Sequence, residues 1–136
     1  MEETEEETAE MYNAAEDLYL YIDDVPMEIL WEDNEAVREL YAAVKEKPLN
    51  AGLSMYGGFE QVGALGFGLP HDDVRITTMP GDIVLYQGNR IVVFYGSNTW
   101  EYTKLGHIVD KNAEELKQLL GNGDVTIVLY TEEEGS

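Results

Sequence analysis

Residues 80–96 read PGDIVLYQGNRIVVFYG: two apolar runs, Ile83 to Tyr86 and Ile91 to Tyr95, on either side of Gln87-Gly88-Asn89-Arg90. A two-residue Gly-Asn connection makes a tight hairpin, so the runs are predicted to be antiparallel neighbours. An antiparallel pair with one face in water alternates apolar and polar side chains. Neither run alternates, so both faces of this hairpin must be covered. In a closed barrel the inward face packs into the lumen, and helices laid over the open ends or the outside can cover the other. The lumen of a small barrel is filled by its own side chains, so a ligand site is expected elsewhere.

Moving upstream, Leu18 to Ile22 and Val25 to Trp31 are strand-like, with Asp23-Asp24 as the turn between them. Val37, Leu40, Tyr41 and Val44 form the stripe of an amphipathic helix that starts at Asp33 or Asn34 and stops at Lys47-Pro48. Gly52 to Tyr56, Phe59 to Leu65 and Val74 to Thr78 are further strands, with a glycine-rich bend between the last two. Downstream, Trp100 to Tyr102 and Leu105 to Val109 read as two short strands. Ala113 to Leu120 reads as a helix capped by Asp110 or Asn112 and stopped by Gly121, and Val125 to Thr131 as a closing strand. The tally is about nine strands and two helices, the pattern of a mainly β barrel or sandwich.

The bulk numbers narrow the function classes. A chain of 136 residues makes one domain with a real core. Lys and Arg total 8 against 28 Asp and Glu, a formal charge of -20, which repels phosphate backbones and anionic headgroups. Nucleic acid is therefore not expected as a partner, and no apolar run is long enough for membrane insertion. The absence of cysteine removes disulfides, thiolate metal sites and cysteine nucleophiles. The opening MEETEEETAE carries six glutamates and reads as solvated, giving an acidic tail over residues 1–15, the domain over 16–132 and a flexible end over 133–136. Such a lead-in fits a bacterial cytosolic tail, or what remains when an exported or lipid-anchored protein loses its signal segment.

ILWEDNEAVRELYAAV, GGFEQVG, PGDIVLYQGNRIVVFYG and YTKLGHIVD together resemble the bacterial cyclophilin-like domains, small barrels of largely unassigned role. The resemblance runs from about Leu18 to Thr131 and implies a closed eight-stranded β-barrel capped by two α-helices. True cyclophilins are peptidyl-prolyl isomerases. They lower a barrier of about 18 to 20 kcal/mol by holding proline in an apolar pocket while an arginine donates to the twisted amide. Carried over by this resemblance, Gly58-Phe59 matches the family's Gly-Phe pair and Ser54 stands where the arginine would be. Phe94 matches the apolar floor, Gln61 the glutamine, Trp100 falls near the tryptophan, and Tyr102 replaces the histidine. Related domains also occur joined to flavodoxin-like modules, which makes such a protein partner an expectation.

The residue types leave three readings. Tyr56, Phe59, Gln61, Phe94, Trp100 and Tyr102 are expected to form a groove for a peptide or small-molecule ligand, in a non-enzymatic module with no catalytic residue, cofactor or metal. The alternative is a weak or divergent prolyl isomerase, which requires an arginine to reach that groove. A small hydrolase or metal enzyme would need His71 and His107 to converge with an acid. Against it, His71-Asp72-Asp73 reads as a polar turn, and no serine sits in a nucleophile-elbow context.

Overall fold

The computed structural model describes residues 15–132. Residues 1–14 and 133–136, where the acidic tail and the flexible end were expected, lie outside the described residues. Ala15, assigned to that tail, is buried in the core.

Ten strands and two helices follow in the order β1 (Leu18–Ile22), β2 (Val25–Met27), β3 (Ile29–Trp31), α1 (Glu35–Glu46), β4 (Leu49–Tyr56), β5 (Glu60–Ala64), β6 (Val74–Thr77), β7 (Asp82–Tyr86), β8 (Arg90–Phe94), β9 (Thr99–Ile108), α2 (Ala113–Leu120) and β10 (Val125–Thr131). The pairing path is β2-β1-β10-β4-β5-β8-β7-β9-β3, all antiparallel, with β6 attached to β9 alone. Its two ends, β2 and β3, are one run of chain interrupted at Glu28, which pairs with β1 by its first half and with β9 by its second. Across the interruption, the Glu28 carbonyl accepts from the Val109 amide and its own amide donates to Asp110. Taken as one strand, β2 and β3 close a barrel of eight, the number the resemblance implied.

Both helices plug the barrel. Asn34 caps α1 by accepting from the Val37 amide, and Asn112 with Glu115 closes α2 in a reciprocal capping box. Val37, Leu40 and Val44 of α1, with Leu116 and Leu120 of α2, share one core with the inward residues Ile83, Leu85, Ile91 and Val93. The helices therefore cover the inward face of the quoted hairpin and leave its outer face to something else. That outer face, with Val84, Val92 and Phe94, belongs to a separate apolar cluster closed by Tyr102, Phe59, Val62, Ile76 and Tyr86. Its cover is the two-stranded ribbon of β6 and the first half of β9, together with aromatic side chains.

Two local expectations change. The hairpin turn runs through Gln87, Gly88 and Asn89 between the paired Tyr86 and Arg90, and Gln87 and Gly88 take the left-handed conformation at φ 54° and 75°. That is the hand a tight hairpin demands, placed one residue earlier than Gly-Asn suggests. Second, the two short strands around Thr103 are one strand of 10 residues. Its first half pairs with β6 and its second with β7, and Thr103 at the switch is buried, accepting from the Asp72 amide and donating to Asp73. Those bonds satisfy a hydroxyl that sequence alone places in a loop. Among the described residues, no helix is long and apolar enough to cross a membrane.

Candidate functional site

The outer face of β5 and β8 sets the floor of a cleft. Side chains alternate along a strand, so Glu60 and Val62 point outward, as do their partners Phe94 and Val92. Across β5, Tyr56 and Ser54 of β4 stand opposite Glu60 and Val62. The ribbon supplies the far wall, because Trp100 and Tyr102 share the face of β9 opposite Ile76 and Val74. The resulting cleft holds about 460 Å³ and is lined by Tyr56, Glu60, Val62, Tyr86, Arg90, Val92, Asn98, Trp100 and Tyr102.

Beneath the lining the rings support one another. Phe59 lies parallel to Phe94 with centroids 6.3 Å apart, and Phe94 meets Tyr102 edge-on at 5.7 Å. Tyr102 also packs against Tyr86 at 6.0 Å, and Tyr56 edges onto Phe59 at 6.4 Å. The Tyr102 hydroxyl accepts from the Asn98 amide group at 2.8 Å. Asn98 is held in turn by Thr78, whose backbone N–H and hydroxyl both donate to the Asn98 carbonyl while the hydroxyl accepts from the Asn98 amide. Burial pushes the Tyr102 phenol up, the Asn98 bond opposes this, and the Glu60 charge adds to the rise. Two rings remain open to solvent, Tyr56 at 64% and Trp100 at 49% exposure.

Glu60 is the unusual member. It is 7% exposed as a residue and, among the described residues, its carboxylate has no hydrogen-bond or ion-pair partner, its oxygens keeping what contact with water the cleft admits. Loss of hydration alone pushes its carboxyl up to about 7.

Of the six residues expected in the groove, Tyr56, Trp100 and Tyr102 line the cleft, while Phe59 and Phe94 lie in its supporting layer. Gln61 takes the opposite face of β5, fully buried, and donates to the carbonyls of Leu120 and Gly123 at 2.7 Å each, tying β5 to the end of α2. Glu60 is the ionisable lining residue that the sequence reading does not include. The available signal was a lone carboxylate in the apolar, glycine-rich GGFEQVGAL, where water should be scarce.

Arg90 is the arginine that reaches the cleft, with its guanidinium donating to Gln87 at 3.3 Å. Arg38 pairs with Asp33 on the helix side and Arg75 stands 5.9 Å from the Trp100 ring. The two histidines do not converge. His71 pairs with Asp73 and packs against Gly88, whereas His107 bonds Asp82 at 2.8 Å, with Lys104 on the same carboxylate. Asp82 opens β7 and Gly88 lies in the turn past its other end, with the strand between them spanning about 13 Å at the usual rise, so one ion cannot bridge both rings.

A closed antiparallel barrel plugged by two helices, with an aromatic cleft on its outer wall, defines a cyclophilin-type domain. The chain belongs to the cyclophilin-like family, whose model matches residues 20–130. Among solved structures it is similar to the solution structure of the hypothetical protein AF2241 from Archaeoglobus fulgidus. The TM-score is 0.59 at 16% identity, covering 89% of this chain and 98% of that one. At that identity the likeness concerns the fold. A search of curated proteins found no match.

Proposed function

We propose that the domain is a non-enzymatic binding module that holds a peptide or small molecule in the cleft bounded by Tyr56, Glu60, Trp100 and Tyr102. The observation that carries this reading is the pair of half-open rings, Tyr56 and Trp100, standing over a packed aromatic floor. Large apolar rings left in water beside a concave surface are the ordinary signature of a ligand site.

The floor argues against efficient isomerisation. Ser54, opposite Val62, has a side chain too short to donate across the cleft. An ionised Glu60 would oppose the negative charge that gathers on the amide oxygen as the X-Pro bond twists. The second reading, a weak isomerase, draws support from Arg90, which supplies a cationic donor at the other end of the cleft.

Chemical-shift mapping during titration with a short X-Pro peptide, with exchange spectroscopy on the same samples, separates them. Binding alone is expected to move the amides of Tyr56, Phe59, Phe94, Trp100 and Tyr102 without faster cis–trans exchange. Acceleration that disappears in Arg90→Ala would establish the second reading, and unmoved cleft amides across peptide and metabolite panels would remove the first.

A further inference from the structure

We propose that the cleft selects a small organic cation, an alkylammonium group paired by the Glu60 carboxylate and enclosed by the rings of Tyr56, Tyr86, Trp100 and Tyr102. This rests on the reading of the cleft as a binding site and names the chemistry it takes.

Glu60 brings an unbalanced charge to the cleft. A carboxylate removed from water is ordinarily paired or hydrogen-bonded. Glu60 is nine-tenths buried, and its carboxylate, which meets water only through a cleft of about 460 Å³, has neither kind of partner among the described residues. Its titratable and charged neighbours around the cleft are the phenols of Tyr56 on β4, Tyr86 on β7 and Tyr102 on β9, the guanidinium of Arg90 on β8, and the guanidinium of Arg75 on β6, which lies 5.9 Å from the Trp100 ring and leaves the ring's other surface to the ligand. Arg90 does not neutralise it. In the β5–β8 register Glu60 faces Phe94 and Arg90 faces Ala64, four residues away. That is about 13 Å along the strands at roughly 3.3 Å per residue, and the Arg90 guanidinium is turned to Gln87.

The walls fit the same ligand. Aromatic faces carry negative quadrupole potential and attract a cation within about 6 Å of the ring centre. Several such faces around one carboxylate make a box for a weakly hydrated, methyl-rich ammonium, whose apolar surface also gains from contact with Val62 and Val92. The formal charge of -20 adds a field that concentrates cations at the surface.

The test compares choline with 3,3-dimethylbutan-1-ol, a neutral molecule of nearly the same shape, by NMR titration of the full chain at matched sodium chloride, in wild type and Glu60→Gln. Choline is expected to bind at least about tenfold more tightly than the alcohol at pH 8, with shifts centred on Glu60, Trp100 and Tyr102. Glu60→Gln should remove most of that preference. Because the cation needs the ionised acid, wild-type affinity is expected to fall about tenfold between pH 8 and pH 6, and the variant's to stay level. Equal binding of the two ligands, or a preference that survives in Glu60→Gln, overturns the inference while leaving the cleft a binding site. If choline leaves the cleft amides unmoved while an X-Pro peptide shifts them, the cation inference fails alone. If no probe moves them, the reading of the cleft fails with it.

Discussion

Glu60 lowers the stability of the fold whenever it is charged, and the sign of its effect with pH follows from its two environments. In the unfolded chain the carboxyl has its ordinary value of 4.5, and in the folded cleft it is held at about 7. Between those values the unfolded chain releases its proton first. The stabilising preference for the protonated fold is therefore fully present below about pH 4.5, is lost as pH rises through the window, and is gone above about 7. With allowance for solvent reaching the cleft, the change is on the order of 2 kcal/mol. Glu60→Gln should match wild type in urea denaturation at pH 4.5 to 5 and exceed it by about that amount at pH 8. Equal stabilities at pH 8 would mean that the carboxylate has found solvent or a partner in solution. Glu60 was hidden from sequence reading by its neighbour. Gln61 drew attention through a family resemblance, but strand parity sends adjacent side chains to opposite faces. Deciding which of the two faces the cleft needs the β5–β8 register, a long-range fact.

At the scale of the element, the quoted hairpin was legible because its two faces lack polar alternation, a property of local composition. What covers the outer face was not legible, because the ribbon of β6 and β9 comes from residues far along the chain and its partner switch at Thr103 looks like a break. The closure through β2 and β3 was partly visible, since Val25 to Trp31 reads as one strand, and its alternate residues Met27, Ile29 and Trp31 are all buried. A tighter constraint lies where β4 passes from β10 to β5, at Leu53 and Ser54. There Gly63 lies against β4 so closely that an added Cβ would meet the Gly52 carbonyl oxygen and come within 2.6 Å of the Leu53 side chain. The backbone of a paired strand cannot retreat without breaking ladder bonds. Gly63→Ala is thus expected to cost about 2 kcal/mol or more in denaturant unfolding. Gly52→Ala is the internal control, since a Cβ added at Gly52 would meet nothing within 4 Å, and its change should stay within about 0.5 kcal/mol. Equal losses in the two variants would show that the close approach at Gly63 is not what fixes this corner.

At the scale of the whole molecule, the charge of -20 acts on every cation that approaches, whether or not it finds the cleft. A Debye length of about 10 Å at 0.1 M salt screens this field, while contact between Glu60 and an ammonium inside the cleft is screened much less. The two contributions to affinity therefore respond to different variables. Raising sodium chloride from about 0.02 M to 0.5 M should weaken choline binding in wild type and in Glu60→Gln by similar factors, because removing one acid barely alters the long-range field. The offset between the two proteins should persist at high salt, because it belongs to the buried carboxylate. Titrations of both proteins across that salt range would decide the matter. Parallel lines separated by a constant step place discrimination in the cleft and attraction in the surface charge. Lines that converge at high salt would make the whole preference for cations a property of the acidic surface, with Glu60 one charge among many.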